Sequence, residues 1–290
     1  MGLSRTLRGA LGRLKARMSQ RYYFEDYVRV YPDGLVFDRS GKRREPTEND
    51  RKNLLNHMKF YRFAAQFIPG KVAADLGCGS GHGCRVLKDA GAERILAVDA
   101  SEAAVAFARS HYADCAEFSV QSVTDLAAYG DHSVDVAVSS EVLEHVKEYG
   151  WDKAEQAVAE MRRITRPGGL LVVETPNSEM LADHGFSFDE IIALFAAGKS
   201  GLGDVLVFEN ALVPFGDRRR LWERRLADGK VATVVSADIN LAETVLPTGV
   251  DTADLKRGTA PGIIRCRPHD VDTRLLHNTH GWVVVAVNGK

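Results

Sequence analysis

The amino-acid sequence predicts an α/β fold in which one doubly wound, mostly parallel sheet carries helices on both faces. Short apolar runs alternate with stretches of helical length, and strands separated by such helices form parallel sheets. Most of the runs are largely apolar, as expected for strands that are covered on both faces. The chain has 290 residues, of which 45% are hydrophobic, so the core of such a fold can be filled.

Seven strands are predicted, and helices connect most of them. The strands are 72–76, 95–98, 116–120, 134–139, 170–174, 205–208 and 282–287, and the helices are 53–67, one that follows the glycine-rich turn at 77–83, 103–111, 152–164 and 188–197. The helix over 152–164 is closed by Arg166-Pro167-Gly168-Gly169, because proline and glycine end helices. The last strand is predicted to be antiparallel to the others.

Four segments are predicted along the chain. Residues 1–50 form an N-terminal extension, 51–210 the main domain, 211–279 an insertion or cap, and 280–290 the last strand of the main domain. Within the extension, 22–50 are polar and rich in turn residues, which indicates irregular structure. The insertion contains short β-like runs at 231–235 and 263–264.

The first 21 residues carry six basic residues and no acidic one, with leucines at helical spacing. This pattern predicts an amphipathic helix with a basic face. Such a helix either contacts an anionic membrane surface or a partner protein, or it packs on its own domain or lies in solvent.

Composition narrows the class of protein. The formal net charge is -1, which gives no reason to expect a nucleic-acid partner. The four cysteines are scattered without a C-x-x-C pair, as in reduced proteins of the cytoplasm. No apolar run approaches the ~20 residues that cross a bilayer, and the basic start lacks the apolar core of a signal peptide. We therefore expect a cytoplasmic protein, and the sequence carries no signal for its oligomeric state.

A glycine-rich turn provides the main evidence for function. The first strand ends in Asp75 and runs directly into a turn with Gly77, Gly79 and Gly81. Glycines in such a turn allow positive φ and close approach of a ligand, and the following helix turns its N-terminal amides toward the carboxyl edge of the sheet. Asp99 lies 20 residues after Gly79, at the end of the second strand, where a carboxylate accepts hydrogen bonds from ribose hydroxyls.

Two classes of nucleoside cofactor compete for this turn. The dinucleotide fingerprint G-x-G-x-x-G is not met, because His82 stands three residues after Gly79 and Cys84 three residues after Gly81. A carboxylate at Asp75 would also oppose a pyrophosphate, whereas it suits a ligand that carries an ammonium and a sulfonium. The alternative for both acids is a role as a helix cap or turn residue.

Four motifs together resemble the class I S-adenosylmethionine-dependent methyltransferases, over about residues 54–177. They are the cofactor loop 75–81, the ribose-binding strand end 98–101, the fourth strand 133–140, and the turn and fifth strand 166–177. The resemblance implies a Rossmann-like fold that binds S-adenosylmethionine. It assigns the cofactor to Asp75, Gly77, Cys78, Gly79, Gly81, Asp99, Ala100, Ser101, Gln121, Ser122, Ser140 and Glu141. In the family the third strand ends in an acidic or polar residue that reads adenine. The stretch 120–123 has no acid here, so the contact passes to Gln121, to Ser122 or to the backbone.

Two finer likenesses concern the acceptor and a metal. The segment 57–64 is similar to methyltransferases of surface-polysaccharide and sugar pathways, and 141–146 is similar to ubiquinone-biosynthesis O-methyltransferases. In the latter, two acids and a histidine can hold a divalent metal, which assigns such an ion, for example Mg²⁺, to Glu141, Glu144 and His145. In a helix these three side chains fall on one face. Alternatively, the acids serve the helix N-terminus and the histidine is half-buried.

Methyl transfer to a hydroxyl requires a group that removes the proton. His145 is the first candidate because imidazole titrates near neutral pH, His184 is the second, and His82, in the cofactor loop, is the third. The arginine-rich run 218–225 either grips a phosphate or carboxylate of the acceptor or, as we favour, forms a solvated helix face. The pair His277 and His280 is predicted to lie in a loop.

The sequence therefore predicts an enzyme that methylates an oxygen of a small molecule or of a sugar or glycan, with a place in polysaccharide biosynthesis. Two alternatives stay open. One is an oxidoreductase that depends on NAD or on a nucleotide sugar, and the other is a methyltransferase-like protein that binds the cofactor without turnover. A protein or nucleic-acid methyltransferase lacks support, because no Asn-Pro-Pro-Tyr strand end and no basic surplus are present.

Overall fold

The computed structural model describes residues 29–37, 42–178, 184–196, 201–211, 219–225, 231–237, 263–266 and 279–289. The predicted basic helix over 1–21 lies outside these residues, as do Arg218 and His277. The strands are β1 (Arg29–Val30), β2 (Val36–Phe37), β3 (Arg43–Arg44), β4 (Val72–Leu76), β5 (Arg94–Asp99), β6 (Glu117–Val120), β7 (Val134–Ser140), β8 (Thr165–Pro176), β9 (Leu202–Ala211), β10 (Arg219–Arg225), β11 (Val231–Ala237), β12 (Ile263–Cys266) and β13 (Thr279–Asn288). The helices are α1 (Glu48–Ala65), α2 (His82–Asp89), α3 (Glu102–His111), α4 (Leu143–Lys147), α5 (Trp151–Ile164) and α6 (Phe188–Ile191).

The central sheet contains seven of the described strands, in the order β6-β5-β4-β7-β8-β13-β9. Five adjacent strands, β6, β5, β4, β7 and β8, are parallel to one another. Strand β13 is antiparallel to both β8 and β9. The predicted fold class, a mostly parallel doubly wound sheet with an antiparallel last strand, is confirmed.

Apolar side chains fill both faces of the sheet. On one face the buried residues include Val158 and Met161 of α5, Phe188 of α6 and Trp282 of β13. On the other face they include Phe60 of α1, Leu87 of α2 and Val105 of α3. Helices thus cover the middle of the sheet on both sides, and the carboxyl ends of the parallel strands are left for the turns that build the site.

The segment 22–50 is predicted to be irregular, and this is wrong for its described part. Strands β1, β2 and β3 form a small antiparallel meander. The predicted turn residues do form a turn, in which Gly34 has a φ of 82° and its N–H donates to Tyr31 O at 2.9 Å. The strands on either side of it have only two residues each, too few to show a periodic pattern.

Helix α1 begins at Glu48, five residues before the predicted start at 53. A capping box at its start explains the difference. Thr47 Oγ1 accepts from Asp50 N at 3.2 Å, and Asp50 Oδ2 accepts from Thr47 N at 2.8 Å. The two bonds satisfy backbone donors that the first helical turn leaves without partners.

The predicted turn at 166–169 is a bulge inside β8. Thr165 pairs with Val134 and Leu170 pairs with Val136, so four residues of β8 lie opposite Asp135 alone. The Asp135 carboxylate holds this region together, because it accepts from Val72 N at 2.7 Å and pairs with Arg166 at 2.6 Å. The bulge thereby connects β4, β7 and β8.

Three further predictions are wrong in detail. The helix predicted over 188–197 is the short α6 followed by a π-helical segment, Ile192–Ala196. The arginine-rich run, favoured as a helix face, is strand β10, because its backbone finds in-register partners in β11 and β12. Tertiary pairing of this kind overrides local propensity. His280, predicted to lie in a loop, belongs to β13.

No helix in the described part of the chain is long and apolar enough to cross a membrane. Cys78, Cys84 and Cys115 are buried free thiols, in agreement with the prediction of reduced cysteines for these three positions.

Close contact between α1 and α2 depends on Gly83. A Cβ atom at this position would lie 2.1–2.6 Å from the Tyr61 ring. We expect Gly83→Ala to displace that ring and to lower the free energy of unfolding by ~1–3 kcal/mol, the usual cost of overpacking. Urea titration measures the change. Gly130→Ala is the control, because its Cβ meets nothing within 4 Å. Equal stability of both variants would contradict the expectation.

Candidate active site

The glycine turn between β4 and α2 is fixed to the neighbouring strand. The N–H groups of Gly77 and Cys78 both donate to Val98 O, each at 2.8 Å. Gly77 has a φ of 84°, and a Cβ there would lie 2.2 Å from a methyl group of Val142. Only glycine fits this position, so the turn bends sharply at the carboxyl end of β4.

The Asp99 carboxylate is oriented by backbone donors. Its Oδ2 accepts from Gly79 N at 2.9 Å, and its Oδ1 accepts from Ser101 N at 2.8 Å. Burial raises the pKa of Asp99, and these two hydrogen bonds act in the opposite direction. Each carboxylate oxygen keeps acceptor capacity for a hydroxyl, which fits the ribose prediction.

Asp75 is fully buried at the end of β4. Its Oδ1 accepts from Tyr61 OH at 3.0 Å, and its Oδ2 accepts from the Cys84 thiol at 3.1 Å. Burial raises the pKa of Asp75 to about 6. A cation beside this group would stabilise its charged form.

The other predicted residues of the loop and of β5 contribute mainly through the backbone. Cys78 is buried, Ala100 is exposed, and the Ser101 side chain caps α3 by accepting from Ala104 N at 3.2 Å. Gly81 has a φ of 85° and is the N-cap of α2. These residues shape the pocket, and the capping bond occupies the Ser101 hydroxyl.

Gln121 and Ser122 lie at the end of the third parallel strand, next to Asp99. Gln121 N donates to Asp99 O at 3.1 Å, and Gln121 Nε2 donates to Ser119 Oγ at 2.8 Å. The Ser122 hydroxyl lies 2.7 Å from Thr124 Oγ1. Gln121 therefore lies at the same sheet edge as Asp99, and the adenine contact of Gln121 or Ser122 stays a prediction.

Ser140 is the last residue of β7, Glu141 follows it, and both contact β8. Ser140 Oγ donates to Glu174 Oε2 at 2.9 Å, and Glu141 N donates to Glu174 O at 3.0 Å. Glu141 has a φ of 56°, which is unusual for a residue other than glycine and marks local strain. Strained backbone of this kind is often found at functional sites.

The sequence did not indicate the partners of Glu174. Its Oε1 accepts from Asn210 Nδ2 at 2.6 Å, so Ser140, Glu174 and Asn210 form a buried polar row, in which the Asn210–Glu174 bond crosses β13 between β9 and β8. Burial raises the pKa of Glu174 to about 7, and the nearby Lys59 opposes that shift. Asn210 belongs to β9, 36 residues after Glu174, and only the sheet topology brings the two together.

The structure brings together a set of possible metal ligands that differs by one residue from the predicted set. Glu144, His145 and His184 bring one ligand atom each to within 4.8 Å of the others. Glu141 is outside this group because α4 begins at Leu143 and Glu141 has a non-helical φ. The one-face arrangement of Glu141, Glu144 and His145 required all of them to be helical.

Glu144 is the buried member of this group. Its Oε2 accepts from Thr175 Oγ1 at 2.9 Å, and its Oε1 lies 3.4 Å from His145 Nε2. Among the described residues Oε1 has no hydrogen-bond partner. Burial raises the pKa of Glu144. An unpaired buried carboxylate oxygen beside two imidazoles is suited to a metal ion or a donor of the substrate.

The prediction that His145 titrates near neutral pH is wrong. Burial lowers the pKa of His145 to about 3, and the neighbouring His184 adds to the shift, with the two ring centroids 5.0 Å apart. The imidazole is therefore uncharged at neutral pH. His82, the third candidate, packs instead near the rings of Tyr61 and His57, in the part of the site that contains Asp75.

The comparison with known proteins identifies the central part of this fold. Residues 74–173 match the family described as "Methyltransferase domain". This part of the chain is similar to that family. The matched residues include the glycine turn, Asp99, Ser140, Glu144 and His145, whereas Glu174 and His184 lie outside them.

Curated relatives share part of this chain. A "Probable S-adenosylmethionine-dependent methyltransferase" of Mycolicibacterium smegmatis is 36% identical over 121 residues, which are 42% of this chain and 44% of the relative. A "Ubiquinone biosynthesis O-methyltransferase" of Mesorhizobium japonicum is 33% identical over 122 residues, 41% of this chain and 46% of the relative. The chain thus spans less than half the length of these relatives. Their names confirm the predicted resemblance.

A solved structure, a SAM-dependent methyltransferase from Archaeoglobus fulgidus, is 15% identical with a TM-score of 0.49 and covers 81% of this chain and 94% of its own.

Asp75 generates a prediction about stability. Its pKa is 3.8 when unfolded and about 6 in the folded protein, so the folded protein binds the extra proton between these values. The free energy of unfolding then falls as pH rises from about 4 to 6 and stays lower above it, by ~3 kcal/mol. Asp75→Asn removes this cost, so it should be more stable than wild type at pH 7 but not at pH 4.

Urea titrations of both proteins between pH 4 and pH 7 measure this difference. Asp152→Asn is the control, since that carboxyl is 77% exposed. A constant stability difference between wild type and Asp75→Asn across this range would contradict the assignment.

Proposed function

We propose that the protein transfers a methyl group from S-adenosylmethionine to an oxygen of a small molecule or a sugar. The observation that carries the proposal is the Asp99 carboxylate, held by Gly79 N and Ser101 N inside a methyltransferase domain. A nucleoside fits there through its ribose hydroxyls.

Asp75 and the glycine turn suit the remaining parts of that cofactor. The buried Asp75 offers a carboxylate whose charge a nearby ammonium or sulfonium would stabilise. Gly77 and Gly81 have positive φ and let the turn bend sharply, and the Cys78 side chain is buried. S-adenosylmethionine supplies an activated methyl group, and the thioether that leaves needs no proton.

The acceptor is proposed to lie at the carboxyl ends of β7, β8 and β9. Polar side chains here offer hydrogen bonds to hydroxyl groups, and Asn210 Oδ1 is buried without a partner among the described residues. The name of the Mesorhizobium relative, an O-methyltransferase, supports oxygen as the methylated atom. The likeness of 57–64 to sugar-pathway enzymes supports a sugar or glycan acceptor and a place in polysaccharide biosynthesis.

Catalysis is proposed to rest mainly on alignment, because in-line displacement depends on holding the two reactants together. Proximity supplies ~7–11 kcal/mol in well-oriented reactions. His145 is uncharged and half-buried, so it can accept the hydroxyl proton, and His184 is close enough to take part. A base with a lowered pKa is weak, which leaves a larger share of the rate to alignment.

As the alternative to His145 as the base, a divalent metal is proposed at Glu144, His145 and His184, because a ring nitrogen that binds a metal ion cannot also accept a proton. The unpaired Glu144 Oε1 and two imidazoles fit such an ion. With two nitrogen ligands the set suits Mn²⁺ or Zn²⁺ better than Mg²⁺, which prefers oxygen. A bound ion would stabilise negative charge on the acceptor oxygen.

Contact of the segment 1–21 with a membrane surface or another protein stays a prediction, as does a cytoplasmic location.

The cofactor assignment predicts micromolar binding of S-adenosylhomocysteine and no binding of NAD. Asp99→Ala should weaken S-adenosylhomocysteine binding by roughly 1.5–3 kcal/mol through loss of the ribose hydrogen bonds. Calorimetry measures both ligands, with Asp152→Ala as an exposed control. Binding of NAD, or an unchanged affinity in Asp99→Ala, would refute the assignment. Turnover is tested with methyl-labelled cofactor and a panel of hydroxyl acceptors, and binding without any turnover would favour the non-catalytic alternative.

The metal assignment predicts that Mn²⁺ binds to the protein without cofactor or acceptor. Glu144→Gln should weaken this binding about tenfold or more, because it replaces a charged ligand by a neutral one. Titration followed by electron paramagnetic resonance measures free Mn²⁺, with the exposed Glu155→Gln as control. Methyl transfer at full rate in excess chelator would rule out a catalytic metal.

A further inference from the structure

His82 has an unexplained buried nitrogen. It is the first residue of α2, and its Nε2 has no hydrogen-bond partner in the described part of the chain. Its other ring nitrogen, Nδ1, lies 3.1 Å from Ser80 Oγ. A buried polar atom without a partner is rare in folded proteins and often faces a ligand.

The hydrogen bonds around Ser80 assign the tautomer of His82. Ser80 Oγ accepts from Val30 N at 3.3 Å, and this N–H can only donate. Ser80 is fully buried, and the acceptor that the described contacts give its hydroxyl hydrogen is His82 Nδ1. Since burial lowers the pKa of His82 to about 3, the ring is neutral, and its single proton lies on Nε2. His82 therefore presents a neutral N–H donor.

Val30 lies outside residues 74–173, and contacts with α3 and with Tyr112 hold it in place. Tyr112 OH donates to Val30 O at 2.8 Å, a contact across 82 residues. The adjoining Tyr31 ring packs on Phe107 and His111, with centroid distances of 5.0 Å and 4.8 Å. The meander β1–β3 is thus anchored on α3, so its backbone N–H can orient Ser80 and, through Ser80, His82.

The surroundings of His82 indicate what Nε2 binds. Tyr61 links the His82 region to Asp75, because its hydroxyl donates to Asp75 and its ring centroid lies 6.0 Å from that of His82. The His57 ring lies 6.1 Å from His82 on the side of α1. An amino-acid group bound here would place its ammonium toward the Asp75 carboxylate. Its carboxylate must then lie against an N–H donor and away from the acids.

We propose that His82 Nε2–H binds the carboxylate of the amino-acid part of the cofactor, and that Val30 and Ser80 position the ring for it. This rests on the proposed function, because it presumes that S-adenosylmethionine occupies the site. It gives His82 a binding role in place of the proton-accepting role predicted from the sequence. It also makes the N-terminal meander part of the cofactor site.

Two ligands distinguish the contribution of the His82–carboxylate contact to binding from that of the other cofactor contacts. S-adenosylhomocysteine carries the carboxylate, whereas 5′-methylthioadenosine has the same nucleoside and a thioether but no amino-acid group. We expect His82→Phe, which keeps a ring without the donor, to weaken S-adenosylhomocysteine binding about tenfold, the usual effect of losing one bond to a charged group. Binding of 5′-methylthioadenosine should not change. His82→Gln, which retains an N–H donor, should restore part of the loss.

Ser80→Ala should give a smaller loss that is also restricted to S-adenosylhomocysteine. Asp99→Ala is the reference for the nucleoside end and should weaken both ligands. Thermal unfolding shows whether each variant is folded, and calorimetry gives the two dissociation constants.

An equal loss for both ligands in His82→Phe, or no loss for either, would overturn the proposal. Failure of wild-type protein to bind either ligand would instead refute the proposed function, so the two failures are distinguishable.

Discussion

The bond network of the glycine turn holds the site together. Gly77 N and Cys78 N donate to Val98 O, and Gly79 N donates to the Asp99 carboxylate, so the turn after β4 is tied to the end of β5. The turn can be that tight because glycine accepts positive φ. This turn sets the direction of α2 and the orientation of Asp99. It also brings Gly77 against Val142, in the connection between β7 and α4. The proposed acceptor position, at the carboxyl ends of β7, β8 and β9, lies along the same edge of the sheet.

Much of the fold could be predicted because its signals are local. Strand β4 was predicted with its observed bounds, and β5 and β7 extend only one or two residues further. Features that depend on distant partners could not be predicted. The Arg219–Arg225 strand owes its conformation to β11 and β12, and β1 and β2 are too short to have a period. The early start of α1 was readable in principle, since Thr47 and Asp50 form a capping box.

In the site, too, residues with a local sequence signal could be predicted and those that depend on distant partners could not. Asp75 and Asp99 were predicted because each directly follows an apolar strand, and the carboxyl ends of parallel strands meet at one edge. The sequence does not show where α4 begins, so it could not show that Glu144 and His145 meet His184 through tertiary contact, and a metal at this group stays a proposal. The charge state of His145 could not be predicted either. Its pKa is decided by burial, which is a property of the folded chain. Tyr61, whose hydroxyl donates to Asp75, was not predicted as a site residue.

Strand β13 has a consequence for the order of assembly. It lies between β8 and β9, and it is the only strand in the described part of the chain that pairs with β9 in the central sheet. During synthesis, therefore, β9 must wait until residues 279–288 have left the ribosome, while the parallel strands can form beforehand. Until then the edge of β8 next to Glu174 is unpaired and exposes backbone groups to other chains. The long connection from β9 to β13 thus prolongs the period in which the nascent protein can aggregate or be bound by chaperones.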